Sequence, residues 1–247
     1  LELWDETMDI VQEILPLMES ASPGVRGLAR EILLKVCQKQ PDSVREIFPA
    51  ARKLVQHDDD HIVENGCRMV LELWDETMDI VQEILPLMTS ASSEVRGLAR
   101  EILLKVCQKQ PDLVREVFPA ARRFLQHDDD HIVENGCRMV LELCDENTDI
   151  IEEVLPLMKS ASSGVRGVAR DILLTMCKKQ PDLVPEVVGA LKKLLPHDDD
   201  HIVENSRQLL ISMGDAAMDI VQEVLPLMES ASSEVRGLAR EILLKVC

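Results

Sequence analysis

The sequence predicts an all-α fold, a right-handed α-α superhelix of about seven stacked helical hairpins. Three observations lead to this prediction. A 70-residue block recurs along the chain, and each block divides into two related halves. Apolar residues recur at helical spacing, and no segment shows the alternation that is typical of a strand.

One short segment makes the repeat plain. Leu1–Asp5 returns unchanged at Leu71–Asp75, with one substitution at Leu141–Asp145, and in degraded form at Ile211–Asp215. The first two copies differ at only eight of 70 positions, which are 19, 23, 24, 43, 47, 53, 54 and 55. We therefore predict a single repeat array over residues 1–247, with copies that start near residues 1, 71, 141 and 211 and a truncated last copy.

Each copy contains two related hairpins. Val25–Cys37 aligns without gaps to Val63–Asp75, and a shorter helical stretch with an internal proline precedes each of them. The structural unit is therefore a hairpin of about 35 residues, and a half-helix at Leu1–Asp5 is left over. Because one hairpin cannot bury both of its faces, stability must come from the seams between successive hairpins.

Capping residues and apolar stripes locate the second helix of each hairpin. Ser22 is a predicted N-cap with Pro23 at the first helical position, and the Gln40–Asp42 step ends the hairpin. One of the aspartates at 58–60 caps the following helix, and the others complement its dipole. The predicted buried positions are Val25, Leu28, Ala29, Ile32, Leu33 and Val36 in the first half, and Val63, Gly66, Cys67, Val70, Leu71 and Trp74 in the second.

Composition and charge exclude several function classes. Aromatic residues make up only 2% of the chain, which argues against proteins that stack single-stranded nucleic acid on aromatic rings. The net charge of −18 repels duplexes and anionic membranes, and no apolar run approaches the length of a membrane span. The seven cysteines are spread singly, mostly inside helical patterns, which indicates buried thiols in a reducing, cytoplasmic setting.

The hairpins resemble HEAT repeats over essentially the whole chain. That family has a proline in the first helix, an aspartate in the turn, and Val-Arg followed by a small residue in the second helix. The matching residues are Pro16, Pro49, Pro86, Pro119, Pro156 and Pro226; Val25-Arg26 with Ala29, Val95-Arg96 with Ala99, Val165-Arg166 with Ala169 and Val235-Arg236 with Ala239; and Asp58, Asp128 and Asp198. The resemblance implies an α-solenoid fold and does not indicate a ligand.

The chain departs from the family pattern at the positions that pair between repeats, and Gly189 replaces an expected proline. Serine stands where the aspartate belongs at Ser20, Ser90, Ser160 and Ser230, and glutamate stands where the arginine belongs at Glu64, Glu134 and Glu204. Since the family forms an aspartate–arginine ladder between repeats, the resemblance suggests that Asp58 and Asp128 face Arg26 or Arg96 of an adjacent hairpin. The alternative is that these aspartates only cap their own helices.

All six histidines lie in His-Asp-Asp-Asp-His motifs, at His57–His61, His127–His131 and His197–His201. Two imidazoles at i and i+4 with carboxylates between them are a ligand set for a transition metal. We favour the alternative of a solvated turn and N-cap, with His57 placed before the helix begins. The recurring cysteines are predicted to pack in the core, and we expect no catalytic residue, metal or cofactor.

Repeat proteins of this kind bind along a concave inner face, which the second helices line. Alternating charged rungs on that face suit an extended or helical peptide, and the acidic net charge favours a basic partner. The predicted partner-binding residues are Arg30, Glu64, Asn65, Arg68, Met69, Glu72, Arg100, Glu134, Asn135, Arg138, Met139, Glu142 and Arg170. The near identity of the first two copies supports the alternative of a merely solvated face.

The predicted function is therefore a non-catalytic scaffold that binds a protein or peptide, with neither nucleic acid nor membrane as a partner. A second hypothesis is a structural module whose uncapped end hairpins stack head to tail. A third, a metal-binding enzyme, depends on the histidine motifs alone.

Overall fold

The computed structural model describes residues 9–144, 149–195, 197–214, 221, 224–230 and 233–246. Within these ranges every regular element is helical, which confirms the predicted all-α class. Residues 1–8, Asp145, Asp215 and Cys247, which the sequence repeat also includes, lie outside the described residues.

The described residues form ten helices of at least 11 residues, and none of them is long and apolar enough to cross a membrane. These helices are α1 (Pro23–Lys39), α2 (Val44–Leu54), α3 (Asp60–Leu73), α4 (Ser93–Lys109), α5 (Val114–Phe124), α6 (Asp130–Leu143), α7 (Ser163–Lys179), α8 (Val184–Leu194), α9 (Asp200–Gly214) and α10 (Ser233–Val246). Single-turn helices lie at Val81–Ile84 and Ile151–Val154, and 3₁₀ segments lie at Leu15–Glu19, Pro41–Ser43, Leu85–Thr89, Pro111–Leu113, Leu155–Lys159, Pro181–Leu183 and Leu225–Glu229.

In the described Val-Arg hairpins the first helix changes to a 3₁₀ segment next to its proline. The helix Val81–Ile84 gives way to the 3₁₀ segment Leu85–Thr89 at the position of Pro86. Proline lacks the N–H that would continue the α-helical hydrogen bonds, and its ring crowds the carbonyl four residues earlier. The chain therefore tightens into a 3₁₀ turn before it enters α4.

The chain divides into two compact units, residues 1–120 and 121–247, and α5 spans the boundary. In the first unit α3 packs against α2 of its own hairpin and lies between α1 and α4. In the second unit α7 lies between α6 and α9, and α9 packs against α8 and α10. Each unit is thus a layer of second helices covered by shorter first helices, while a single array over residues 1–247 stays a prediction.

The seams between second helices hold the core. The predicted apolar stripe is wholly buried in two helices, as Val95, Leu98, Ala99, Ile102, Leu103 and Val106 of α4 and Val165, Val168, Ala169, Ile172, Leu173 and Met176 of α7. Within the hairpin, α3 approaches α2 closely at Gly66, where an added Cβ would lie 2.8 Å from the Cβ of Leu54. Glycine is required there because any larger residue would overlap the neighbouring helix.

The prediction is wrong for part of α1. Leu28 and Ile32 are exposed, and Val25 and Val36 are only half-buried, as is Leu71 of α3. The sequence of α1 contains the same apolar stripe as α4, but α4 packs against α3 of the preceding hairpin, and among the described residues no second helix precedes α1. Burial of this stripe therefore depends on the neighbouring hairpin.

Candidate protein-binding face

Polar side chains of successive second helices meet along the first unit. Arg30 of α1 donates from Nη1 to Oδ1 of Asn65 on α3 at 2.8 Å. Arg68 of α3 places Nη2 2.8 Å from Oε1 of Glu64 and 2.7 Å from Oε1 of Glu94 on α4. These contacts connect three second helices, and we call the side of each unit that carries such contacts the second-helix face.

The charges on this face influence one another. Burial and the nearby Arg68 lower the pKa of Arg30, whereas the carboxylates of Glu64 and Glu72 oppose that shift. The guanidinium groups are thus held in a partly desolvated site whose carboxylates offset their repulsion.

The second unit has equivalent contacts. Arg170 of α7 donates from Nη1 to Oε1 of Gln208 on α9 at 2.6 Å, and Arg207 of α9 lies 2.6 Å from Oε2 of Glu241 on α10. The hydrogen bond to Glu241 raises the pKa of Arg207. Sequence reasoning missed Glu94, Arg207 and Gln208, because their positions carry different residue types in different copies, and it missed Glu241, whose position is acidic in every copy.

Four of the predicted partner-binding residues are buried and not at the surface. Met69 and Met139 are fully buried, and Asn65 and Asn135 are nearly so. The amide of Asn65 donates from Nδ2 to the carbonyl of Arg26 at 3.5 Å, within the seam between α3 and α1. A helix that packs on two sides buries a wide stripe, which explains why these residues turn inward.

The remaining predicted residues lie at the surface. Glu72, Arg138 and Glu142 are exposed. Those that are half-buried are Arg30, Glu64, Arg68, Arg100, Glu134 and Arg170. Within α6, Arg138 lies 2.7 Å from Glu134, one turn earlier.

The arginine of the Val-Arg motif donates to a backbone carbonyl in the turn before its own helix. Arg26 donates from Nη1 to the carbonyl of Ser20 at 2.7 Å, and Arg96 donates in the same way to the carbonyl of Ser90 at 2.6 Å. The same bond recurs from Arg166 to Ser160 and from Arg236 to Ser230. An extended arginine reaches back about six residues, so it closes the turn before the helix that carries it.

The prediction that one of the aspartates at 58–60 caps α3 is confirmed, and the cap is Asp59 rather than Asp58. Its Oδ1 accepts from the backbone N–H of His61 at 2.8 Å. This hydrogen bond lowers the pKa of Asp59, and the charge of Arg26 adds a smaller effect in the same direction. The predicted pairing of Asp58 with Arg26 is therefore corrected: Arg26 influences Asp59 and donates to the carbonyl of Ser20.

Contacts between hairpins do occur, but at other positions. Ser90 donates from Oγ to Oδ1 of Asp60 at 3.2 Å, and Ser160 does the same to Asp130 at 3.4 Å. The serines that replace the family aspartate thus connect neighbouring hairpins in each unit.

The first helices contribute a further inter-hairpin ion pair. Arg52 at the end of α2 donates from Nε to Glu83 at 2.7 Å, and Arg122 donates to Glu153 at 2.9 Å. The repeated spacing shows that this pair belongs to the hairpin seam.

The histidine motifs form exposed turns and helix caps. Nδ1 of His57 accepts from the N–H of Asp59 at 2.9 Å, and α3 begins only at Asp60, so His57 precedes the helix as predicted. Among the described residues, no group of three histidine, cysteine, aspartate or glutamate side chains is arranged to hold a metal ion.

Every described cysteine is a buried free thiol, which confirms the predicted packing role: Cys37, Cys67, Cys107, Cys137, Cys144 and Cys177. Burial raises the pKa of Cys67 and Cys137 to about 12. At neutral pH these side chains stay protonated and behave as small apolar groups.

Comparisons with known proteins agree with this architecture. The sequence profile of the adaptin N-terminal region matches residues 6–242. Kap121p superposes with a TM-score of 0.69 at 15% identity, over 97% of this chain and 29% of its own. Importin beta superposes with a TM-score of 0.68 at 12% identity, over 98% of this chain and 36% of its own. An engineered protein superposes with a TM-score of 0.50 at 16% identity, over 96% of this chain and 68% of its own.

These structural likenesses show the fold alone, a HEAT-repeat α-solenoid. The chain spans only about a third of the length of Kap121p and importin beta. The search of curated proteins gave no match.

Proposed function

This chain belongs to the adaptin N-terminal region family, and from that premise we propose that it is a non-catalytic scaffold for protein interactions. Its partner is a protein or peptide that lies along the second-helix face. Kap121p, which shares the fold, has been solved bound to the extreme C-terminus of the protein phosphatase Cdc14p. A short protein segment is therefore the kind of ligand we propose here.

The observation that supports this proposal most is the set of polar contacts along the second-helix face. In the first unit Arg30 of α1 donates a hydrogen bond to Asn65 of α3, and Arg68 of α3 forms an ion pair with Glu94 of α4. Polar groups held in a fixed pattern along a row of helices can recognise an extended or helical segment at several points at once.

The charge of the partner follows from the charge of the scaffold. The chain has a net charge of −18, and Glu72 and Glu142 are exposed on α3 and α6. An acidic field attracts basic segments and speeds their association, so we propose a basic protein or peptide.

The test compares two pairs of substitutions with the same change in charge. Glu72→Lys with Glu142→Lys alters the second-helix face, whereas Glu46→Lys with Glu186→Lys alters exposed positions on α2 and α8. Each variant is used to capture partners from a cell lysate, and the captured proteins are quantified by mass spectrometry. We expect the first pair to lose the basic partners of the unsubstituted chain and the second pair to retain them.

Two outcomes would contradict the proposal. Equal capture by all three proteins would show that the second-helix face does not bind them. Equal loss by both pairs would show that net charge alone attracts them.

Self-association is a second candidate, because apolar side chains are exposed on α1 and α10. Leu28 is 62% exposed and Leu244 is 68% exposed, which is unusual for leucine on helices whose other faces pack in seams. Stacking of chains through these faces should give a mass in light scattering that rises with concentration and falls with Leu28→Glu. A constant monomer mass at all concentrations would reject this candidate.

A further inference from the structure

A groove of about 370 Å³ lies on the first-helix side of the second unit, between the 3₁₀ segment Leu155–Lys159 and α8. Its apolar lining consists of Leu155, Pro156, Ala190 and Leu194. Its charged lining consists of Glu152, Lys159 and Lys193. We call this feature the lysine groove.

The fold itself produces the groove, because the first unit contains a counterpart of about 330 Å³. The counterpart lies 140 residues earlier and has the same apolar lining, namely Leu15, Pro16, Ala50 and Leu54. Both grooves form where a proline-containing 3₁₀ segment passes the alanine of the following first helix. The recurrence in two separately packed units indicates a built-in cavity of the repeat.

The two grooves differ in charge. Lys159 of the lysine groove takes the place of Glu19 in the counterpart, Glu152 takes the place of Gln12, and both grooves have one further lysine, Lys193 or Lys53. The charged lining therefore has a net charge of +1 in the lysine groove and of 0 in the counterpart. Lys159 and Lys193 are exposed, and within the part of the chain that the structure describes neither has a hydrogen bond or an ion pair. Two ammonium groups outnumber the single carboxylate of Glu152 beside this apolar cavity, so on a chain of net charge −18 the groove is a local site of opposite sign.

We propose that the lysine groove binds a short acidic segment of a partner protein. An aliphatic side chain of that segment occupies the apolar lining, and flanking carboxylates pair with Lys159 and Lys193. Ligand pockets in proteins range from about 300 to 1,000 Å³, so a groove at the lower end of that range takes one or two side chains. This surface and its preference are separate from the basic partner proposed for the second-helix face.

The probe is a fluorescein-labelled peptide of ten residues, glutamate and aspartate with one central leucine, titrated against the full chain by anisotropy. We expect saturable binding that Lys159→Glu with Lys193→Glu weakens at least tenfold. The matched control, Lys39→Glu with Lys53→Glu, changes the net charge equally at exposed positions of the first unit and should leave most of the binding intact.

A second arm tests the apolar lining without any change in charge. Ala190→Phe fills the lysine groove, and Ala50→Phe fills its counterpart, so only Ala190→Phe should weaken binding. A peptide with serine in place of the leucine should also bind more weakly, and this readout needs no altered protein.

Three outcomes would overturn the proposal. They are the absence of saturable binding, an equal loss of affinity in both lysine double variants, and equal affinities for the peptides with leucine and with serine. The Glu72→Lys with Glu142→Lys variant separates the two proposals, because it should still bind the acidic peptide. Circular dichroism and thermal unfolding of each variant verify that the fold is retained.

Discussion

Helices α1 and α4 share fifteen consecutive residues, Val25–Lys39 and Val95–Lys109, yet α4 buries a wider part of its surface than α1 does. Leu28 is 62% exposed in α1, and its equivalent Leu98 is 8% exposed in α4. For the next pair the exposed fraction is 39% for Ile32 and 1% for Ile102. Helix propensity is the same in both segments, so the difference arises from packing.

The cause of the difference is the position of α3. This helix lies between α1 and α4, so it covers one side of each of them. Helix α4 thus packs against the second helix of the preceding hairpin, whereas among the described residues no second helix precedes α1. Burial of a leucine or isoleucine side chain contributes about 1.5–3 kcal/mol, so identical helices in one chain differ in their share of the stability.

The largest effect is expected when equivalent isoleucines of the two helices are replaced by alanine. Ile102→Ala leaves a cavity under α3 and should lower the free energy of unfolding by about 2–4 kcal/mol. Ile32→Ala removes a partly exposed side chain and should cost less than about 1 kcal/mol. Urea denaturation of both variants measures the difference, and equal losses would show that α3 does not account for it.

Replacement of two glycines by alanine tests the close approach of the helices, because the two substitutions should change the stability in opposite directions. Gly66→Ala would force a Cβ to within 2.8 Å of Leu54 and to 3.0 Å of the backbone, and should destabilise the protein by about 1–3 kcal/mol. At Gly97 of α4 an added Cβ meets nothing within 4 Å, so Gly97→Ala should stabilise the helix by up to about 1 kcal/mol. Thermal unfolding of both variants gives the signs, and a shared sign would contradict the observed packing.

Alkaline pH tests the seams through their thiols. Burial raises the pKa of Cys67 to about 12 and that of Cys107 to about 11, above the value of about 8.5 for an unfolded cysteine. Because the folded pKa is the higher one, stability is fully present below about pH 8.5 and is lost as the pH rises towards the folded values. The urea midpoint should decrease between about pH 9 and 11, and it should decrease less steeply in Cys107→Ala. The same pH dependence in both proteins would show that another group causes the loss of stability.

The smallest expected effect is that of the ion pair between first helices. Arg52 and Glu83 are partly exposed, so a double-mutant cycle with alanine should give a coupling of about 0.5–1 kcal/mol that falls in high salt. The equivalent pair of the second unit, Arg122 with Glu153, should give a similar value. A coupling that does not change with salt would indicate that the pair is not an exposed ion pair.

Much of the fold could be predicted from the sequence, because copying and helical spacing define each hairpin before any contact is known. The stripe of α4, the cap at Asp59 and the buried cysteines follow from local pattern. The inward direction of Met69 and Asn65 does not, because both lie at the border of a wide stripe and their residue types are compatible with either face. The partner of Arg26 was also unpredictable, since its long side chain can reach an aspartate of a neighbour or a carbonyl of its own turn.

The shared sequence of α1 and α4 has a consequence for how the chain refolds. A helix of the α3 type meets two partners of identical sequence in the denatured chain, and it can meet the same sequences in another molecule. Non-native pairings are then nearly as favourable as native ones, which creates kinetic traps and exchange of hairpins between molecules. Refolding yield should therefore decrease as protein concentration increases, even though each hairpin forms from local sequence.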